Sequence, residues 1–163
     1  MASLYSTLVT NFRAKTTKNP VTSMEGNIKT VTETISVAAA DNDGDIYHIM
    51  PVRSNWSIKH IWVYNDAITN GTSYDVGLYT TAATPAEVDK DCYMAATTMA
   101  SARTTAPIDA AYLTRNITAI NNKVHQDGGV TTDPSAWYYL SITANTVGTV
   151  QGDITVIVEY VGD

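Results

Sequence analysis

Thr30-Val31-Thr32-Glu33-Thr34-Ile35-Ser36-Val37 alternates without a break. Val31, Glu33, Ile35 and Val37 share one face, and Thr30, Thr32, Thr34 and Ser36 share the other. A period of two puts successive side chains on opposite sides of a pleated backbone, so the stretch predicts a half-buried strand. The same period recurs along the chain. Ile46 to Val52 predicts a second strand, and Ser57 to Tyr64 a third, with Ile58, His60, Trp62 and Tyr64 set against Lys59, Ile61 and Val63. Tyr74, Val76 and Leu78 alternate with Asp75, Gly77 and Tyr79, and a shorter strand is expected near Val88 to Ala95. Trp137 to Thr143 and Ile154 to Val161 close the chain with two strong strands. Asp41-Asn42-Asp43-Gly44-Asp45 predicts a hairpin turn and Asn70-Gly71 a further turn, since these residues tolerate left-handed backbone. Ile117, Ile120 and Val124 fall at helical spacing ahead of Gly128-Gly129, which predicts one short helix. Six to eight strands, one helix and no strand–helix–strand rhythm make a mostly-β fold, a single jelly-roll-like or Greek-key β-sandwich.

Composition agrees. The chain has 163 residues, enough for one domain with a real core. Only 16% are charged, against about a quarter in ordinary domains. Threonine fills much of the gap, with 25 copies. Branching at Cβ costs rotamer freedom in a helix and suits a pleated surface. Residues 1–27 are polar and irregular, punctuated by Pro20 and Gly26, and read as an N-terminal arm ahead of a sandwich over 28–163. The arm is basic: Met1 to Met24 holds Arg13, Lys15 and Lys18 and no acid. The remainder has 7 basic and 16 acidic residues. A net charge of −6 argues against nucleic acid as a partner, because phosphate contacts need clustered cations. No run reaches the roughly 18 apolar residues of a membrane helix, and Leu4 to Thr10 is too short and polar for a signal peptide. With one cysteine, Cys92, no intrachain disulfide can form. The Asn-X-Ser/Thr sequons at Asn55, Asn70 and Asn116 are therefore read as chance matches.

Candidate chemistry is sparse. His48, His60 and His125 show no metal-binding spacing with one another or with Cys92. Asp41 to Asp45 opens like a calcium loop, but an EF-hand needs Gly sixth and Glu twelfth, where this chain has Ile46 and Val52. A looser cation site at that turn stays open. Asp89 and Asp91 flank Cys92 with negative charge, which opposes thiolate formation. No nucleophile elbow, phosphate loop or dinucleotide fingerprint occurs. The expectation is a non-enzymatic protein with no cofactor. Ten Tyr and three Trp against one Phe suit half-buried, half-polar settings, either protein interfaces or sugar-stacking faces.

Asp43-Gly44-Asp45-Ile46-Tyr47, Pro51-Val52, Ser57-Ile58-Lys59 and Tyr64-Asn65-Asp66-Ala67-Ile68 together resemble a family of small tailed-phage virion proteins. Gly71 to Tyr79 and Val88-Asp89-Lys90-Asp91 continue the likeness, which spans about residues 28–160. These are turn and strand residues, not a catalytic signature. The resemblance implies a capsid decoration (cement, head-stabilising) protein with a jelly-roll-like sandwich, made in the bacterial host's cytoplasm and carried on the outer capsid surface across capsomer seams. The implied partner is a phage major capsid protein, with copies clustered as a homo-oligomer, a trimer before a dimer. Tyr5, Phe12, Arg13, Lys15, Lys18, Trp137 and Tyr138 are the interface candidates. The alternative is a phage tail, receptor-binding or carbohydrate-binding β-sandwich, with a platform around Trp137 and Tyr138.

Overall fold

The computed structural model describes residues 27–162. Eight strands form two antiparallel four-stranded sheets. They are β1 (Ile28–Val37), β2 (Asp45–Arg53), β3 (Ser57–Asn65), β4 (Ser73–Thr80), β5 (Glu87–Thr97), β6 (Ile108–Asp109), β7 (Trp137–Thr146) and β8 (Gly152–Val161). One sheet runs β1-β8-β3-β6 and the other β2-β7-β4-β5. The first strand thus pairs with the last, the second with the seventh, the third with the sixth, and the middle two with each other. That is the chain folded in half and rolled up, the topology of a jelly roll.

Rolling up changes what the turns do. β1 pairs with β8 and β2 with β7, so the Asp41–Asp45 turn is not the expected hairpin but a corner carrying the chain between sheets. Its acids brace that corner. Asp41 Oδ2 accepts from the Ala38 amide and the Tyr47 hydroxyl, at 2.8 and 2.7 Å, and Asp43 Oδ1 from the Val147 amide at 2.9 Å. Gly44, at φ +92°, takes a backbone conformation closed to most side chains. The Tyr47 bond, then the Ala38 bond, hold the Asp41 carboxyl below its usual range. A depressed folded value favours the folded state above the unfolded value and is lost as pH falls through the folded one. Tyr47→Phe should therefore make the acid limb of a melting-temperature profile shallower below about pH 4. An unchanged profile would show that the bond carries no such linkage.

The core lies between the sheets. Val52, Ile58, Ile61, Val63, Val76, Leu78, Leu140, Ile142, Ile154 and Val158 are all buried. Each such side chain contributes about 1.5–3 kcal/mol, well beyond a surface contact such as the Thr34–Thr155 hydroxyl pair. β1 lies at an edge and stays mostly exposed, with Val31 and Ile35 half-buried and Val37 buried on its predicted inner face.

The strict alternation expected for β3 breaks. Ile58 pairs with Tyr160 but His60 with Glu159, so Lys59 is an extra residue, a bulge. The bulge lets Ile58 and Ile61 both face inward although they differ in parity. Lys59 Nζ turns aside to the Ile120 carbonyl and Asn121 Oδ1, at 3.0 and 2.9 Å. β4 also departs from a half-buried pattern, since Tyr74 through Tyr79 are all buried. β5 folds over its outer side, and an ideal Cβ on Gly77 would lie 2.2 Å from the Asp89 carbonyl oxygen. Buried Asp75 secures this crossing, accepting from the Ala96 amide (2.7 Å) and Asn145 Nδ2 (2.6 Å) and facing Lys90.

The predicted helix is present but displaced. Asn116 caps a single 3-10 turn at Ile117–Ala119, and a separate short helix, α1, spans Val124–Asp127. Ile117 is 62% exposed, so its helical spacing did not mark a buried stripe. The Val124 and His125 amides donate to the Trp56 and Ser54 carbonyls instead, tying the segment to the β2–β3 turn.

Candidate functional site

Of the seven interface candidates, Tyr5, Phe12, Arg13, Lys15 and Lys18 lie outside the described residues. Trp137 and Tyr138 are neighbours on β7 and so point to opposite sides. Tyr138 enters the core, and Trp137 is 41% exposed. A surface platform made from both is therefore not what the fold builds.

Trp137 has other company. Arg53, its register partner on β2, lays its guanidinium 4.7 Å from the indole centroid. Trp56 meets Trp137 edge-on at 5.6 Å and stacks on Tyr160 at 4.5 Å. Beside them is a hollow of about 170 Å³ lined by Arg53, Ser54, Asp133 and Ser135 among others. Ser54 donates to Asp133 Oδ1 at 2.5 Å and accepts from the Ala136 amide at 3.1 Å, which holds the loop before β7 in place. The exposed indole is thus backed by packed rings and a braced loop.

The histidines take separate, local roles. His48 Nδ1 meets Ser141 Oγ at 2.7 Å, His60 Nδ1 meets Asp109 Oδ2 at 2.7 Å, and buried His125 Nδ1 meets the Ser54 carbonyl at 2.8 Å. Among the described residues no three His, Cys, Asp or Glu side chains converge as a metal site requires. Cys92 is half-buried, and burial of its thiol, then the nearby Asp89 charge, push that thiol well above the usual value, which suppresses the thiolate.

Two arrangements were not anticipated from the sequence. One is a buried ion pair, Arg115 Nη1 to Asp127 Oδ2 at 2.8 Å, with both side chains almost wholly enclosed. The Tyr93 hydroxyl donates to the same carboxylate oxygen at 2.9 Å, and Arg115 also reaches the Ala111 and Ile58 carbonyls. The other is the outer face of the β1-β8-β3-β6 sheet. There the row Thr34–Thr155–Tyr64 sits beside Thr32–Ile157–Trp62 and Thr30–Glu159–His60. His60 stacks on Trp62 at 5.1 Å, so a hydroxyl column on β1 faces an aromatic column on β3. A groove of about 580 Å³ lies at the Tyr64 end, lined by Thr34, Tyr64, Asp66, Thr104, Asp153 and Ile157 among others. Alternation along β3 and β8 could have named the outward residues, but not the adjacency of the strands.

No protein-family profile matches the chain, and no curated protein matches it in sequence. Solved structures do resemble it. A chain in the capsid of Ralstonia phage GP4 superposes with a TM-score of 0.61 at 14% identity, over 90% of this chain and 92% of that one. A chain in the capsid asymmetric unit of cyanophage Pam1 superposes with a TM-score of 0.52 at 14% identity, over 90% and 93%. At this identity the likeness is one of fold.

Proposed function

We propose that the protein is a structural component of a phage virion, without catalysis, that decorates the outer surface of the shell and cements capsomer seams. The observation that carries this reading is the extent of the likeness to the two phage capsid chains. Nine-tenths of both partners align, so those chains are about the size of this one and share its whole sandwich. A small accessory chain on a larger lattice suits that size. Its partner is the major capsid protein, and its copies cluster as a homo-oligomer, a trimer before a dimer. Contacts added across a seam stabilise the assembled shell by mass action.

Two features supply the grip. Residues 1–27 serve as an arm whose Arg13, Lys15 and Lys18 meet acidic shell surface, with Tyr5 and Phe12 as apolar anchors. Trp137 is the anchor on the sandwich, because a pre-packed exposed indole beside an arginine loses little freedom on binding.

The test uses shells assembled without this protein. Full-length protein should bind them and raise their melting temperature. Trp137→Ala should weaken binding by about tenfold or more while the isolated protein melts as before. Deleting residues 1–18 should weaken it further. Failure of the full-length protein to bind would sink the shell reading, and unchanged binding by either variant would remove that contact from it.

A further inference from the structure

We infer that the groove on the outer face of the β1-β8-β3-β6 sheet is a binding site for neutral saccharides. Its polar groups are aimed but unspent. Asp66 Oδ2 accepts from the Asp153 amide at 3.1 Å, and Asp153 Oδ1 accepts from Ser36 Oγ at 2.5 Å. These bonds hold both carboxylates still and leave Asp66 Oδ1 and Asp153 Oδ2 outside them. Among the described residues, the Tyr64 and Thr104 hydroxyls also lack a protein partner and line the same groove. Two fixed acceptors and two hydroxyls able to donate or accept match the alternating demands of neighbouring sugar hydroxyls.

The floor supplies the other half of sugar recognition. Tyr64 and Ile157 are half-buried there, diagonal neighbours across the β3–β8 ladder (Tyr64 pairs with Thr155, Ile157 with Trp62), and offer apolar surface to the C–H side of a ring. At about 580 Å³ the groove falls within the ordinary size of small-molecule sites, about 300–1,000 Å³. The carboxylates set the specificity. They accept hydrogen bonds from uncharged hydroxyls but repel sialic and uronic acids, so the ligand is a neutral hexose or N-acetylhexosamine chain. This site differs from the Trp137 anchor, and it does not depend on the shell reading, so either can fail alone.

The experiment applies full-length protein to an array of neutral hexose and N-acetylhexosamine glycans printed beside sialylated and uronic-acid ones. The strongest neutral hit is then titrated by calorimetry at low and raised salt. Neutral glycans should bind, acidic ones should not, and affinity should hold as salt rises, since no ion pair is made. Tyr64→Phe and Thr104→Val, which keep shape and lose one hydroxyl, should each weaken binding about fivefold with an unchanged melting temperature. Absence of any glycan binding overturns the inference, as does equal binding of acidic glycans or wild-type affinity in both variants. Salt-sensitive capture of a basic peptide of residues 10–20 in the groove, blocked by no sugar, would also overturn it in favour of a protein-binding surface.

Discussion

Asp127→Ala should cost the fold about 3–5 kcal/mol, enough to lower the melting temperature by about 10–15 °C. The cause is what remains. Arg115 is 4% exposed and would keep its charge, with Nε and Nη2 still on the Ala111 and Ile58 carbonyls, but with nothing opposite Nη1. Tyr93 is fully buried and would lose its acceptor at the same time. Denaturant unfolding of the isolated protein reads the loss, and a change under about 1 kcal/mol would show that water reaches the site and replaces the carboxylate. Exchanging both partners for apolar residues, Arg115→Met with Asp127→Leu, should recover part of the stability, because it removes the uncompensated charge but leaves the Tyr93 hydroxyl and the Ala111 and Ile58 carbonyls unpaired. Acid should act here in the opposite sense to Asp41. Burial raises the Asp127 carboxyl above its usual value, against the pull of Arg115 and the Tyr93 bond. The folded state therefore binds that proton more readily than the unfolded one, and the group's contribution falls as pH rises from the unfolded value through the folded one. Asp127→Asn should remove that slope.

Gly77→Ala should be nearly as damaging, at about 3 kcal/mol or more, although it adds a single methyl group. The new carbon would lie 2.2 Å from the Asp89 carbonyl oxygen and 2.3 Å from the Lys90 carbonyl carbon. Both are backbone atoms, so no rotamer change relieves the clash, and β5 must lift off β4. The lift would pull on Asp75, whose bond to the Ala96 amide and contact with Lys90 both come from β5, while its bond to Asn145 of β7 would remain. Hydrogen exchange should show β5 amides losing protection ahead of β3 and β8, which lie in the other sheet. Uniform loss across both sheets, or none, would mean that β5 is not the element the glycine admits.

These two sites also show where reading along the chain stops. Arg115 and Asp127 sit in a segment whose apolar spacing suggested a helix, and nothing in their separation predicts a pair. Gly77 reads as one more position in an alternating strand. Its role follows from a bulge in β5, where Asp89 pairs with Leu78 but the next registered partner, Met94, pairs with Val76. Lys59 is a similar case, an ordinary strand residue in the sequence and the extra residue of a bulge in the fold. The two-residue β6 is too short to carry any period. For the candidate surfaces, alternation placed His60, Trp62 and Tyr64 on one face of β3, while the direction of that face and its union with Thr34, Thr155 and Asp153 were not legible.

Local pattern along the chain is enough to locate seven of the strands, to divide the residues of β1 between two faces, and to make the body a β-sandwich with little helix. That information is local: strand period follows from backbone geometry, and punctuation from the φ preferences of Gly, Asn, Asp and Pro. Strand order, the corner at Asp41–Asp45, the bulges at Lys59 and in β5, the Arg115–Asp127 pair and the groove beside Tyr64 arise only in the assembled fold. Each depends on residues far apart in the chain, such as Thr34 beside Thr155 or Ser54 beside Asp133. Their pairing is chosen by which arrangement buries both sheets at once, a condition on the whole chain that no local pattern records.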